Sequence, residues 1–231
     1  DRFPFNKVTF YDNNAERQET VAKACESYFH ENAPEVEFNY TTGVKNDIVN
    51  LFVDGAVDED PNFIMKVQTV ARDDRLILEV TTDVAARPDL ASTSIDGGAG
   101  TNTLVVRSDV GMNGGNTFKS FKNFQNYEVE GAGSSHNFSK LDGVKTVVVA
   151  TEAGTSNTLV DLPSDLASIS LSGKNQNIGN DNNADQTFAT LDIKAAKAKV
   201  LTLNLDNTAR VDGELSLANL VIGNNTATDL N

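Results

Sequence analysis

Leu201-Thr-Leu-Asn-Leu205, Leu215-Ser-Leu217 and Leu220-Val-Ile222 place apolar residues at alternate positions. A period of two is the signature of a strand with one buried face, because successive side chains of an extended backbone point to opposite sides. Working outward, the same short apolar runs recur at Leu104-Val-Val106, Val147-Val-Val149, Thr158-Leu-Val160, Ile169-Ser-Leu171 and Leu191-Asp-Ile193, separated by Gly, Asn, Asp, Ser and Thr. The later runs lie roughly 10 to 25 residues apart, with almost no helical period among them. Many short strands at such spacing mean a sandwich, a barrel or a solenoid. The solenoid fits best, since several runs share an L-x-L or I-x-L form and the intervening Asn residues suit stacked turns. The expectation is a mainly β chain whose residues 93–231 form a parallel β-solenoid or β-roll-like region.

Residues 1–90 follow a different grammar. Lys7-Val-Thr-Phe-Tyr11 reads as a strand, and Asp12-Asn-Asn14 supplies an N-cap, with Glu16 and Glu19 in the first turns where the helix dipole favours negative charge. Val21, Ala24, Cys25, Tyr28 and Phe29 then make one apolar stripe on a helix ending near Asn32, before Pro34. Cys25 on that stripe is a small buried hydrophobe. Val36–Tyr40, Ile48–Val53, Phe63–Val70 and Arg75–Thr81 read as strands, the last two joined in a hairpin at Asp73-Asp74. The sum is a small α+β domain, one helix on an antiparallel sheet, with Arg87-Pro88-Asp89 as linker.

Charge narrows the partners. Asp and Glu outnumber Lys and Arg by 33 to 19, a formal net charge of −14. Such a chain repels nucleic-acid phosphates, so no nucleic acid is expected as a partner. Acidity favours cations instead, Ca²⁺ above all. One Cys excludes an intramolecular disulfide. No run of about 20 apolar residues is present, so no membrane span is expected. Asp1 in place of Met, and an end at Asn231 inside a patterned stretch, read as a piece of a longer protein.

Gly97-Gly98-Ala99-Gly100-Thr101-Asn102-Thr103-Leu104-Val105 is a near-copy of the nonapeptide G-G-x-G-x-D-x-U-x. In that repeat the glycines allow a tight turn in which backbone carbonyls converge on Ca²⁺, the Asp neutralises the ion, and the apolar residue buries itself. Asn102 holds the Asp position; its amide oxygen can coordinate but adds no charge, and Asp96 compensates. The candidate calcium ligands are therefore Asp96, Gly98, Gly100 and Asn102.

C-terminal to this turn come Phe121-Lys-Asn-Phe124-Gln-Asn-Tyr-Glu-Val-Glu-Gly131, Gly133-Ser-Ser-His-Asn137-Phe138-Ser139, Leu141-Asp-Gly-Val-Lys-Thr-Val-Val-Val149 and Gly154-Thr-Ser-Asn157-Thr-Leu159. This succession resembles the β-rich region of RTX-type S-layer proteins of Gram-negative bacteria. The resemblance implies type I secretion, an extracellular location on the cell surface, Ca²⁺-assisted self-assembly and homo-oligomeric lattice contacts, with attachment to cell-surface polysaccharide through regions beyond this sequence. The expected function is that of a structural, non-enzymatic surface-layer component; the alternative is an RTX-type adhesin or extracellular binding domain with the β-region as a stalk. A third reading is an extracellular hydrolase whose catalytic part lies outside the sequence.

Other chemistry-bearing residues read blandly. Asp54, Asp58, Glu59 and Asp60 form an acidic loop, and Asp206 and Asp212 suit solvated turns. His30 sits at a helix end, where a cation meets the negative dipole. His136 has neither a G-x-S-x-G nucleophile elbow nor an H-E-x-x-H beside it. A carboxylate pair for glycoside chemistry is compatible with a β-helix, but the runs are flanked by Thr, Asn and Lys rather than the aromatic platforms sugars use.

Overall fold

The computed structural model describes residues 7–12, 37–42, 48–53, 65–68, 73, 75–80, 94–108, 118–119, 121–141, 143–173, 185–207, 213–223 and 229–230. Among them the strands are β1 (Lys7–Asp12), β2 (Glu37–Thr42), β3 (Ile48–Val53), β4 (Met65–Gln68), β5 (Arg75–Val80), β6 (Ser94–Asp96), β7 (Thr103–Ser108), β8 (Phe121–Lys122), β9 (Asn126–Glu130), β10 (Ser135–Asn137), β11 (Thr146–Val149), β12 (Ser156–Val160), β13 (Ser168–Ser172), β14 (Gln186–Lys194), β15 (Val200–Leu201), β16 (Leu203–Asp206), β17 (Leu215–Gly223) and β18 (Asp229–Leu230). No helix occurs among the described residues. The protein is mainly β, and its strand pairs are parallel.

Three larger sheets and one pair of strands result. One runs β1-β2-β4-β6-β8, a second β3-β5-β7-β9-β11-β13-β16, a third β10-β12-β14-β17, and β15 pairs with β18. From β2 to β9 the chain alternates strand by strand between the first and second sheets; from β10 to β14 it alternates between the third and second. Apart from β1 with β2, no two paired strands are therefore consecutive along the chain.

Alternation explains the core. Along the seven-stranded sheet the register aligns Leu76, Leu104, Tyr127, Val147, Ile169 and Leu203 in one column, and Leu78, Val106, Val129, Val149, Leu171 and Leu205 in another. Through Ile169 and Leu171 these residues are buried. The third sheet contributes Leu159, Leu191 and Ile193, and Phe118, Phe121, Phe124, Phe138 and Phe188 fill the space between. Phe118 meets Phe121 and Tyr127 edge-on, with ring centroids 5.4 and 5.6 Å apart, and Tyr127 meets Phe138 at 4.8 Å. Each fully buried Leu, Ile or Phe adds about 1.5–3 kcal/mol of hydrophobic stabilisation before entropy is charged against it.

Four expectations for residues 1–90 meet the structure differently. The helix to Asn32 lies outside the described residues. Strands are found at Ile48–Val53 and Arg75–Val80 much as the pattern indicates. The antiparallel sheet is corrected: β2–β4 and β3–β5 pair in parallel. The hairpin at Asp73-Asp74 is likewise corrected, since β4 and β5 belong to different sheets. Period-two alternation is common to parallel and antiparallel strands, so only the connection distinguishes them. Here the Asp73 carboxylate accepts a hydrogen bond from the Thr101 N–H (2.8 Å), tying it to the turn before β7. In the later region, Leu215–Leu217 and Leu220–Ile222, which the spacing separates, are one strand.

Candidate functional site

The glycine-rich turn comes first. β6 ends at Asp96, and Gly98 and Gly100 adopt φ of 66° and 114°, a region that strains any residue with a Cβ. A Cβ on Gly97 would sit 2.5 Å from the Asn123 carbonyl oxygen, so this backbone approach requires glycine. Asn102 is buried at the start of the following strand. Its backbone N–H donates to Gln125 Oε1 (2.8 Å), and its carbonyl accepts from the N–H groups of Gln125 and Asn126. Its side-chain Nδ2 donates to the Asn123 carbonyl (3.0 Å) and, at a long 3.5 Å, to that of Gly98.

The turn thus brings Asp96, Gly98 and Asn102 together around two converging carbonyls, with Gly100 in the same bend. The group those carbonyls meet is an amide donor. The Asp96 carboxylate accepts from the Gly98 N–H (2.9 Å) and Asn123 Nδ2 (2.6 Å) and pairs with Lys122 Nζ (3.0 Å). Burial pushes the Asp96 carboxyl up, but the hydrogen bonds from Gly98, Asn123 and Lys122, with the Lys122 charge, outweigh it and hold the group below its ordinary value. Among the described residues no group of three or more His, Cys, Asp or Glu side chains is placed to hold a metal ion.

A second cluster lies on the opposite face of β9. There Tyr127 and Val129 point into the core, so Glu128 and Glu130 face the other way, in register with Val105 and Arg107 of β7. Both carboxylates are nonetheless buried. Arg75 reaches from β5 to Glu128 (2.8 Å) and Glu130 (3.3 Å), and Arg107 pairs with Glu130. Two adjacent carboxylates resemble an acid–base pair on paper. Held by two guanidinium groups and nearly sealed from solvent, they instead cross-link β5, β7 and β9. Sequence reading missed this cluster, because Arg75 and Glu128 are separated by 53 positions. The signal available was opposite charge at outward positions of strands that turn out to be neighbours.

The third arrangement is a polar interior under the four-stranded sheet. Tyr127 Oη lies 2.7 Å from His136 Nδ1, and Ser134 Oγ lies 2.7 Å from His136 Nε2. Further along, Asn157 Nδ2 donates to Thr151 Oγ1 (2.9 Å), Thr151 and Thr155 hydroxyls meet at 2.7 Å, and Gln186 Nε2 donates to the Thr151 carbonyl (3.0 Å). Full burial lowers the His136 pKa to about 3 and raises that of Tyr127 well above its ordinary value. The imidazole is therefore neutral at physiological pH, one nitrogen a donor and the other an acceptor. A base of that strength, engaged at both nitrogens, serves to satisfy the polar interior rather than to move a substrate proton. Where sequence left His136 as an isolated histidine, the structure gives it two partners.

Comparison with known proteins adds what geometry does not. No family model and no solved structure matches the chain. It is similar to a 6-phospho-α-glucosidase of Leptotrichia buccalis, 52% identical over 42 residues, which is 18% of this chain and 10% of that protein. A maltose-6′-phosphate glucosidase of Clostridium acetobutylicum is 56% identical over 45 residues, 20% of this chain and 10% of that protein. The enzyme of the same name from Bacillus subtilis is 45% identical over 42 residues, 18% and 9% respectively. The chain thus spans about a tenth of the length of the curated relatives it matches.

These matches correct the functional expectation. The proteins sharing sequence with this chain are named as glucosidases, so the self-assembling surface-layer role, the adhesin alternative and the non-enzymatic reading do not stand. The surface-layer and self-assembly vocabulary attached to them falls with them. The physical reason is plain: a repeating apolar pattern specifies which side chains are buried, and burial does not specify chemistry.

Proposed function

We propose that the protein is a glycosidase acting on 6-phosphorylated α-glucosides. The observation that carries this reading is the shared stretch of 41 to 45 residues, at 40–56% identity, with 6-phospho-α-glucosidases and maltose-6′-phosphate glucosidases of several bacteria. Within the same proposal, the parallel ladders are coils of a β-solenoid that forms a stiff support. Coil length runs from 20 residues, as Asn126 pairs with Thr146, to 34, as Ser156 pairs with Thr190. The in-register apolar columns support it, because each strand's side chains are covered by the strands before and after.

Glycoside hydrolysis generally uses two carboxyl groups flanking the scissile bond. Glu128 and Glu130 are ion-paired and buried, so they are assigned to the scaffold, and no catalytic group is assigned among the described residues. A phosphorylated substrate also needs local positive charge to offset a net charge of −14. The test is turnover by the full-length protein of p-nitrophenyl α-glucoside 6-phosphate beside its unphosphorylated counterpart. Release of nitrophenol at least about tenfold faster from the phosphorylated compound is expected. Failure to cleave either compound overturns the reading.

A further inference from the structure

The two apolar columns of the seven-stranded sheet and those of the four-stranded sheet change character at one end. Leu171 is 1% exposed, whereas Leu205, its in-register successor, is 55% exposed. Leu191 and Ile193 are 1% and 0% exposed, whereas Leu220 and Ile222, which stack on them, are 36% and 39% exposed. The side chains keep the inward positions and the apolar character of their columns. What changes is that, among the described residues, β16 and β17 each have a neighbouring strand on one side only.

An exposed apolar sheet end is a template for one more strand. The register says which strand. Residue n of β14 pairs with n + 29 of β17, as Gln186 does with Leu215 and Lys194 with Gly223. The same offset holds between β15 and β18, where Val200 pairs with Asp229 and Leu201 with Leu230. β18 is thus the start of another layer, laid on β15 at the spacing of the layer beneath.

We propose that this end is covered by a further coil of the same polypeptide, following Asn231 and laid down at the same 29-residue offset. Positions 232 and 234 then stack on Leu203 and Leu205, and positions 249 and 251 on Leu220 and Ile222. All four carry apolar side chains, in strands that run parallel to β16 and β17. The inference rests on the coil reading above and adds to it the identity of what covers the end.

Hydrogen–deuterium exchange on the full-length protein tests it, beside a version stopped at Asn231. The edge amides of β16 and β17 are expected to exchange at least about tenfold more slowly in the full-length protein. Equal exchange in the two proteins overturns the proposal. Rapid exchange throughout β12 to β14 as well would sink the coil reading itself, so the two failures are distinct. Protection that depends on concentration, with a dimer in sedimentation, overturns it in favour of a second copy as the cover. Should the shortened version not fold, Leu205→Asn in the full-length protein serves instead. A covered Leu205 gives a fall in Tm of about 5 °C or more, and an unchanged Tm contradicts the cover. Charged residues at positions 234, 249 and 251 contradict it equally.

Discussion

The two walls of the core solve one problem in opposite ways. On the seven-stranded side, Leu78, Val106, Val129, Val149 and Leu171 form a column without a polar atom. On the four-stranded side, Ser134, His136, Asn157, Thr151 and Gln186 bring hydroxyls, an imidazole and amides into the same interior. An apolar column tolerates exchange among residues of similar volume, since dispersion contacts have no direction. A polar run does not, because each donor must meet its own acceptor and a lost partner leaves a desolvated group behind. The difference teaches that one wall specifies packing and the other specifies position.

Position is set most tightly at Gly133. A Cβ there would lie 2.2 Å from the Ser156 carbonyl oxygen and 2.7 Å from its nitrogen. Those are backbone atoms, which cannot swing aside as a flexible side chain does. Gly133→Ala is expected to push β10 from β12 and cost about 3 kcal/mol, a fall in Tm of roughly 6–12 °C. Gly143 is the control: its φ is 87° but open space surrounds it, so Gly143→Ala pays only backbone strain of about 1–2 kcal/mol. Equal losses by thermal unfolding would erase the claim that the polar wall is held by close backbone approach.

The next effect is one of pH. The folded pKa of His136 is about 3, below the ordinary value of 6.5, because burial disfavours the imidazolium. Between those values the unfolded chain binds a proton that the folded chain refuses, so stability increases with pH across the window. The contribution is complete above pH 6.5 and is lost as pH falls towards 3, at a slope of up to about 1.4 kcal/mol per pH unit. Asp96 adds a loss of its own only nearer its ordinary value of 3.8 and below, since its folded pKa is depressed. Chemical denaturation of wild type and His136→Leu at pH 7, 6, 5 and 4 separates the two. The substitution is expected to flatten the slope above pH 4, and an unchanged slope would assign the acid sensitivity elsewhere.

Sequence legibility divides along the same line as the walls. The apolar columns could be read: Val147–Val149 falls in β11, Ile169–Leu171 in β13 and Leu191–Ile193 in β14 because period two is written directly in the residues. Strand direction is read correctly as parallel for residues 93–231 but not for residues 1–90, where alternation is blind to it and the Asp73-Asp74 pair suggests a hairpin although Asp73 instead reaches forward to Thr101. The polar wall was illegible for a sharper reason. The burial of Asn157, Thr151 and Gln186 depends on partners 6 to 35 positions away, which no local pattern reveals. The glycine turn was located correctly as a bend, while the direction of the Asn102 amide had no sequence signal. Function was the least legible, because an apolar repeat specifies which side chains are buried and leaves chemistry unspecified.

The smallest effect tests the joint between the walls. Tyr127 belongs to the apolar column of Leu104 and Val147, yet its hydroxyl crosses to His136 Nδ1 at 2.7 Å. Tyr127→Phe keeps the ring contacts with Phe118 and Phe138 and strands one imidazole nitrogen, so it is expected to cost about 1–3 kcal/mol. His136→Leu strands the phenol in the same interior, and Ser134 with it, at a comparable cost. In the double variant the unpaired phenol and imidazole are both gone, so its loss should fall below the sum of the two by at least about 1 kcal/mol. Urea unfolding of the four proteins measures that coupling. Strict additivity would mean that the hydroxyl and the imidazole are each satisfied by other groups, and that the two walls meet through packing alone.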